Sequence, residues 1–381
     1  MAQIVVKSEE ENTLRQGLLD KHDTESERLK RFLALPDLSR IEDHPLSEIV
    51  KRILSMPDYK EFDTIEVPEI VRADTSFDLF DFPKDHPARS KSDTYYLDGE
   101  HILRTHTTVM WNYYLDQKSV KERMSQGLPV GSFSFGKVYR KDEIDRNHMN
   151  VFHQIDGWYL APRDKETIGA KELEKVLTDI AKAVFGPDIK YRFNPDTFPY
   201  TDPSLEMEVE VNGRWVEVLG AGVVKGKVLE NHGIDSSVWN GWAFGFGLER
   251  LAIISMELPD IRLLWSLDER VKKQMKLGNK YKEVSKFPPV LRDISFVVSE
   301  DFVANDYFDR IRDLGGELIE EVLQTDKYEN ETKFGKGKKS YTFRITYRSL
   351  EKTLTNPEVN KLHEEIEAMT EAEFKAEIRR V

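Results

Sequence analysis

The most specific segment of the sequence is GKVYRKDEIDRNHMNVFHQIDGWYLA, residues 136–161. Its ends are rich in β-branched and aromatic residues and its middle is polar, which predicts two strands joined by a charged loop. Arg140 closes the first predicted strand and Phe152 opens the second. An arginine fork binds two phosphate oxygens at once, and a phenylalanine face can stack on a purine. A hairpin with solvated loop charges is the alternative for the same residues.

A second segment, residues 240–254, reads NGWAFGFGLERLAII and combines three glycines with an apolar helical pattern. Glycine lets a backbone approach a ligand without a Cβ clash. Arg250 falls in the first turn of the predicted helix, where a cation is unfavourable by about 0.3–1 kcal/mol unless an anion compensates it. A phosphate would be such an anion. Taken alone, the residue could equally be an arginine exposed on a helix face.

Two further segments carry histidines, aromatics and carboxylates. Residues 80–110 contain FDFPKDHPARSKSDTYYL and then LRTHTTVM, which predict a Pro-rich loop followed by a strand. Residues 198–224 contain FPYTDPSLEMEVEV and then WVEVLGAGVV, which predict two amphipathic strands. Without further context, their histidines and aromatics would fill turns or the core, and their glutamates would be solvated.

Taken together, these segments resemble the motifs of class II aminoacyl-tRNA synthetases. Residues 136–161 resemble motif 2, and Gly245, Gly247 and Arg250 match the Gly-x-Gly-x-x-Arg of motif 3. The resemblance is close to the single-chain, mitochondrial-type phenylalanyl-tRNA synthetases and covers roughly residues 45–381. It implies activation of L-phenylalanine with ATP and Mg²⁺, followed by transfer to tRNA(Phe).

The resemblance also assigns roles to single residues. Arg140 would hold the α-phosphate and the attacked carboxylate, and Arg250 the γ-phosphate, so these two are the expected catalytic residues. The residues expected at ATP are Arg140, Asp142, His148, Phe152 and Arg250, with Mg²⁺ on Glu206 and Glu217. The residues expected at phenylalanine are His106, Thr108, Gln154, Asp156, Phe198, Tyr200, Ala221, Ala243 and Gly245.

Within the expected phenylalanine site, the resemblance distinguishes several contacts. His106 and the hydroxyl of Thr108 would meet the substrate carboxylate, and Gln154 would hold its amino group. Ala221 and Ala243 would form the floor that admits a bare phenyl ring. The sequence departs from the family pattern at three positions, which usually carry Glu, Ser and Phe; they are Asp156, Thr108 and Tyr200.

The end of the chain follows a different pattern. Strands and helices are predicted in the order βαββαβ, which is the ferredoxin-like arrangement. LRDISFVV, NDYFDRIRDLGGELIEEV and YTFRITYRSLEKTLTNPEVN resemble the anticodon-binding domain of the same synthetases. The basic residues expected at tRNA are Lys333, Lys336, Lys338, Lys339, Arg344 and Arg348. A solvated basic hairpin is the alternative for this cluster.

The expected fold class is α+β, a class II antiparallel-sheet catalytic domain followed by a ferredoxin-like (βαββαβ) anticodon-binding domain. The expected domains are residues 44–276 and 287–381, joined by a polar linker at 277–286. Residues 1–43 are polar and charge-mixed, which predicts an arm that is partly helical or disordered.

Composition narrows the class of protein. The chain has 381 residues, no cysteine and a formal net charge of −13, which excludes a disulfide framework and argues against a general nucleic-acid coat protein. No apolar run reaches the ~20 residues of a membrane helix, so no membrane partner is expected.

The N-terminus lacks a signal-peptide core and is too acidic for a transit peptide, which favours the cytoplasm, or the mitochondrial matrix if a leader has been removed. A monomer is expected from the single-chain resemblance.

Two other functions compete with a phenylalanine–tRNA ligase. A class II paralogue could activate an amino acid without charging tRNA, and a non-catalytic regulator could simply bind RNA. The two intact arginines, Arg140 and Arg250, argue against the regulator. The C-terminal domain argues against the tRNA-free ligase.

Overall fold

The computed structural model describes residues 2–141, 145–211 and 213–379. The chain divides into two compact units, Met1–Tyr281 and Lys282–Val381, called unit 1 and unit 2 below. Asp142, which is expected at ATP, lies outside the described residues. Within these ranges, no helix combines the length and apolar character needed to cross a bilayer.

Unit 1 combines ten strands and ten helices among its described residues. The strands are β1 (Gln3–Val5), β2 (Asp63–Glu66), β3 (Ile70–Arg72), β4 (His101–Leu103), β5 (Val130–Tyr139), β6 (Val151–Pro162), β7 (Tyr191–Phe198), β8 (Thr201–Val211), β9 (Arg214–Val224) and β10 (Trp239–Gly247). The helices are α1 (Glu9–Leu19), α2 (Thr24–Ala34), α3 (Pro45–Leu54), α4 (Ala73–Phe77), α5 (Met110–Leu115), α6 (Lys118–Ser125), α7 (Ala170–Phe185), α8 (Gly226–Asn231), α9 (Leu248–Met256) and α10 (Glu269–Lys272).

The main sheet of unit 1 has the order β1-β2-β5-β6-β10-β9-β8-β7. Its pairs are antiparallel except β1–β2 and β2–β5, which are parallel. Along β10, Trp242, Phe244 and Phe246 stack on one face, because side chains alternate along a strand. Gly245 lies on the other face, where an added Cβ would fall 2.2 Å from Oδ1 of Asp156. The central strands therefore carry small and polar residues on one face of the sheet and aromatic residues on the other.

The N-terminal segment is partly helical, and it is held against the rest of unit 1 by contacts that its composition does not predict. Strand β1 pairs with β2, and Leu18 and Leu29 are buried in one cluster with Tyr139 of β5. Arg15 of α1 forms ion pairs with Glu69 and with a glutamate of its own helix, both at 2.7 Å. The segment is ordered by a few buried leucines and by ionic contacts to distant residues, which composition does not reveal.

Unit 2 has the predicted order of elements. It runs β11 (Val290–Ser299), α11 (Ala304–Gly315), β12 (Ile319–Glu329), α12 (Glu331–Phe334), β13 (Lys338–Tyr347), α13 (Asn356–Phe374) and β14 (Glu377–Ile378). The sheet order is β12-β13-β11-β14, with antiparallel pairs. Its core is packed with aromatics of β11, α11 and β13, such as Phe296, Tyr307 and Phe343. The predicted fold class, α+β with a ferredoxin-like second unit, is confirmed.

Candidate active site

Two cavities lie on the polar face of the unit 1 sheet and share one boundary. The first has a volume of about 440 Å³ and the second about 290 Å³. Arg140 at the end of β5, Gln154 in β6 and Gly245 in β10 line both. Neighbouring strands of one sheet thus bring motif 2 and motif 3 to a common point between the two cavities.

The first cavity collects most of the residues expected at phenylalanine. Those lining it are His106, Thr108, Gln154, Asp156, Phe198, Tyr200 and Gly245. Its apolar end is a set of rings: Phe198 stacks on Tyr200 with centroids 5.9 Å apart, and Phe82 lies 6.0 Å from Tyr200. Phe77, Phe82 and His86 also line this cavity and were not predicted individually. Phe82 and His86 belong to the quoted 80–97 segment, whereas nothing in the sequence pointed to Phe77.

The polar end of the first cavity is built around the carboxylate of Asp156. It is fully buried, and burial raises the pKa of Asp156 to about 6 despite the hydroxyls that hydrogen-bond to it. Thr108 donates to Oδ1 at 2.9 Å, and Thr107 donates to Oδ2. The hydroxyl of Thr108 is thus engaged by Asp156, which corrects its expected contact with a substrate carboxylate. Thr107 was missed, because the family pattern marks only the second threonine.

His106 and Gln154 add two further acceptors to this end. Nε2 of His106 donates to the backbone oxygen of Ser76 at 3.2 Å, and burial lowers the pKa of His106 to about 3, so the ring is neutral. Nδ1 is then an acceptor. Among the described residues, neither Nδ1 of His106 nor Oε1 of Gln154 has a hydrogen-bond partner. An acceptor suits an ammonium and not a carboxylate, which corrects the role expected for His106.

The second cavity holds the residues expected at ATP that the structure describes. Arg140, His148, Phe152 and Arg250 all line it. The guanidinium of Arg140 lies 5.2 Å from the centroid of the Phe152 ring. Arg250 is the third residue of α9. Its side chain is 48% exposed, and its Nη1 lies 3.8 Å from the carboxylate of Glu217. Two guanidiniums and an aromatic face around one cavity suit a nucleotide with its phosphates.

Comparison with known proteins identifies the family. Residues 32–275 match the model "tRNA synthetases class II core domain (F)", and residues 285–379 match the ferredoxin-fold anticodon binding domain. The chloroplastic/mitochondrial phenylalanine–tRNA ligase of Arabidopsis thaliana is 37% identical over 320 residues, which are 81% of this chain and 71% of that protein. The mitochondrial phenylalanine–tRNA ligase of Mus musculus is 36% identical over 333 residues, 77% and 70% of the two chains.

This chain belongs to the phenylalanine–tRNA ligase family of class II synthetases. A probable phenylalanine–tRNA ligase of Drosophila melanogaster, named as mitochondrial, is 35% identical, and the mitochondrial phenylalanine–tRNA ligase of Saccharomyces cerevisiae is 33% identical. The expectation of a cytoplasmic location is therefore wrong, and the relatives point to an organelle. The acidic N-terminal residues on which that expectation rested form β1, α1 and α2 of unit 1, so their composition does not report on targeting.

The two alanines expected at the floor of the ligase pocket lie on different faces of the sheet. Ala243 pairs with Trp158 and Gly222, on the same face as Gly245 and Asp156. Ala221 pairs with Phe244 and therefore lies on the opposite face, away from both cavities. This corrects the assignment of Ala221: one step along a strand reverses the direction of a side chain. Ala243 is buried in the core cluster against which Tyr200 packs, and it does not line the first cavity.

The two glutamates expected at Mg²⁺ are also separated. Glu217 lines the second cavity and pairs with Glu208 at a register shift between β8 and β9, whereas Glu206 pairs with Gly220. Glu206 accepts a hydrogen bond from Asn194 at 2.9 Å and does not line that cavity. No group of three acidic or histidine side chains that could hold a metal occurs in the described ranges. One carboxylate beside a phosphate cavity nevertheless fits Mg²⁺, which binds through one or two carboxylates, waters and substrate phosphates.

The six basic residues of unit 2 fall into two groups. Three are held by carboxylates of the same unit: Arg344 by Asp293 at 2.8 Å, Arg348 by Glu320 at 2.8 Å and Lys339 by Glu329 at 3.1 Å. In the described part of the chain, no carboxylate forms an ion pair with the other three, which are Lys333, Lys336 and Lys338. The second group is better suited to bind an external phosphate.

Proposed function

We propose that this chain activates L-phenylalanine with ATP at the two joined cavities and transfers the phenylalanyl group to tRNA(Phe). The observation that supports this most strongly is the meeting of both cavities at Arg140, because adenylate formation requires a carboxylate beside the α-phosphate. ATP–pyrophosphate exchange measured across the amino acids, with and without tRNA, tests it. Exchange without charging would favour the tRNA-free paralogue, and the absence of both reactions would favour the RNA-binding regulator.

In this proposal the amino acid lies in the first cavity. Its phenyl ring occupies the aromatic end, between Phe198, Tyr200 and Phe82. Its ammonium is bound by the three acceptors at the polar end, namely the carboxylate of Asp156, Nδ1 of His106 and Oε1 of Gln154. That arrangement directs the substrate carboxylate away from the buried acid, towards Arg140 and the second cavity.

ATP occupies the second cavity, with adenine on Phe152 and the phosphates between Arg140, His148 and Arg250. A carboxylate oxygen of phenylalanine attacks the α-phosphorus, and pyrophosphate leaves with the electron pair of the broken P–O bond. No side chain acts as a nucleophile. The rate derives from alignment of the reacting atoms and from the cationic groups already in place. Mg²⁺, which class II synthetases use, would be held by Glu217 and would neutralise phosphate charge.

In the second step, a hydroxyl of the terminal tRNA adenosine attacks the activated carbonyl, and AMP leaves. Unit 2 binds tRNA through Lys333, Lys336 and Lys338. We also propose that the enzyme acts as a monomer, because the strand at this edge of the sheet, β1, has only three residues, and very short edge strands disfavour pairing with another chain. Sedimentation at working concentration tests the monomer.

Ala243, in the core cluster against which Tyr200 packs, is expected to limit the size of the substrate ring through the position of Tyr200. Ala243→Gly removes a methyl group from the core cluster against which Tyr200 packs, so para-chlorophenylalanine should be activated at least about 10-fold better. Ala221→Gly is the matched control, since Ala221 lies on the opposite face of the sheet and should leave ring selectivity unchanged. Equal selectivity in both variants would mean that Ala243 does not border the ring. The measurement is kcat/KM for each substrate in pyrophosphate exchange.

Charge reversal at the unpaired lysines is expected to weaken tRNA binding. Changing Lys333, Lys336 and Lys338 together to Glu should raise the KM for tRNA and lower the slope of log KM against log salt by about 2–3, since each phosphate contact contributes about 0.7–0.9 to that slope. Exchange without tRNA should be unchanged. The control is the same reversal at three exposed basic residues of helices α11 and α13 and their ends, Arg312, Lys361 and Lys375. An equal effect of both triples would mean that net charge alone is responsible.

A further inference from the structure

His153 lies between two residues of the proposed site but points away from it. Phe152 and Gln154 line the cavities, and the side chain of His153 is fully buried on the other face of β6. There its Nδ1 lies 2.6 Å from Oε1 of Glu249. The backbone N–H of His153 also donates to both oxygens of that carboxylate, at 3.0 and 2.9 Å.

Glu249 occupies the first turn of α9, immediately before Arg250. It is buried, and a buried carboxylate is stable only when hydrogen-bonded partners compensate its desolvation. The partners that the structure gives it all belong to His153. These hydrogen bonds hold the strand of motif 2 against the helix of motif 3. The helix residue that accepts them, Glu249, directly precedes Arg250.

The N-terminal segment supplies the third member of this arrangement. The backbone N–H of Leu38 donates to Nε2 of His153 at 2.9 Å. Because Nε2 accepts this bond, the ring proton resides on Nδ1, where it is donated to Glu249. The indole of Trp265 packs against the imidazole, with the ring centroids 5.4 Å apart, and helps to exclude water. The segment expected to be a loose arm thus fixes the tautomer on which the pairing with Glu249 depends.

We propose that the Leu38 N–H, His153 and Glu249 form a latch that sets the spacing between Phe152 and Arg250, and hence the affinity for ATP. Leu38 and His153 are positioning residues, since neither lines either cavity, whereas Glu249 both pairs with His153 and lines the second cavity. The inference rests on the proposed function only in identifying the ligand of the second cavity as ATP. It makes Leu38 a part of the support of the nucleotide site.

The contribution of the Leu38 N–H can be isolated with a matched pair of variants. Leu38→Pro removes the donor, and the backbone accommodates proline: Leu38 begins a 3₁₀ turn, and Asp37 before it is extended at φ −82° and ψ 100°. Leu38→Ala removes a comparable amount of apolar side chain but keeps the N–H. We expect Leu38→Ala to hold the KM for ATP within about 2-fold, and Leu38→Pro to raise it by about 10-fold. The KM for phenylalanine should change much less in both.

His153→Gln and Glu249→Gln should likewise raise the KM for ATP. In the double variant, two amides can pair with each other, so the combined effect should be smaller than the product of the single effects. His44→Gln is the control: His44 also fastens this region, through Leu264, but hydrogen-bonds to neither motif. Rates are divided by the concentration of titrated active sites. A variant that is partly unfolded then shows a lower titrated concentration, whereas its KM is unchanged.

An unchanged KM for ATP in His153→Gln and Leu38→Pro, or equal shifts in the Leu38→Pro and Leu38→Ala pair, would overturn the latch. Failure of the proposed function is recognised separately, since the wild-type chain would then show no exchange at all. In that case, calorimetric titration with ATP decides the inference on the same set of variants. Weaker binding in Leu38→Pro than in Leu38→Ala supports the latch, and equal binding contradicts it.

Discussion

Replacing Arg140 or Arg250 by alanine is expected to reduce phenylalanine-dependent pyrophosphate exchange by about 10³-fold, while the free energy of unfolding stays near that of the wild type. Both guanidiniums line the second cavity, which we propose as the site where negative charge develops as pyrophosphate leaves. The side chain of Arg250 is 48% exposed, so its truncation removes little packing. Single-turnover adenylate formation and chemical denaturation measure the two quantities independently.

A control variant separates this effect from a general loss of positive charge. Arg262 belongs to the same unit, is exposed and pairs with Asp260 outside both cavities. Arg262→Ala should exchange pyrophosphate at the wild-type rate. Normal exchange in Arg140→Ala or Arg250→Ala would contradict the assignment of the phosphate site.

The second large effect is expected at Asp156. Burial raises the pKa of this carboxyl group to about 6, so it is ionised above that pH and neutral below it. An ammonium substrate needs the ionised form, and the KM for phenylalanine should therefore rise by about 10-fold for each pH unit below about 6. His106 does not contribute to this change, because its pKa is lowered to about 3 and the ring is already neutral. Steady-state exchange from pH 5 to 8 measures the profile.

Asp156→Asn should raise the KM for phenylalanine by about 10²-fold or more, since it leaves a buried ammonium without its counter-charge. It should also abolish the pH dependence between 5 and 7, while the KM for ATP stays constant. Asp156→Glu, which restores the residue usual in the family, should keep both the charge and the pH dependence. A wild-type KM for phenylalanine that is flat across this range would exclude Asp156 as the ammonium partner.

Local sequence was sufficient to locate most of the candidate site. Arg140, Phe152, Gln154 and Arg250 were all taken from two short motifs, and each lines a cavity in the structure. Such motifs are readable because their chemistry requires fixed residue types at fixed spacings along a strand, turn or helix start. The order of elements in unit 2 was readable for the same reason, since each strand and helix there has its own hydrophobic period.

The face of the sheet on which a side chain lies could not be predicted from local sequence. Ala221 and Glu206 were assigned to the site from their neighbourhood in sequence, but the register of β9 and β10 places Ala221 on the opposite face, and Glu206 hydrogen-bonds to Asn194 and does not line the second cavity. A register shift between β8 and β9 pairs Glu217 with Glu208. Strand pairing depends on residues far apart in the chain, so a local pattern does not determine it.

Sequence alone thus predicted the family, the order of the two units and the residues that we propose bind the phosphates. Tertiary structure decided what each polar group does there. Ser76 fixes the tautomer of His106, Asp156 engages the hydroxyl of Thr108, and Leu38 completes the pairing of His153 with Glu249. The physical reason is that a proton's position and a hydroxyl's partner are set by the nearest hydrogen-bonding group in space, and the chain brings that donor or acceptor from 30, 48 or 115 residues away.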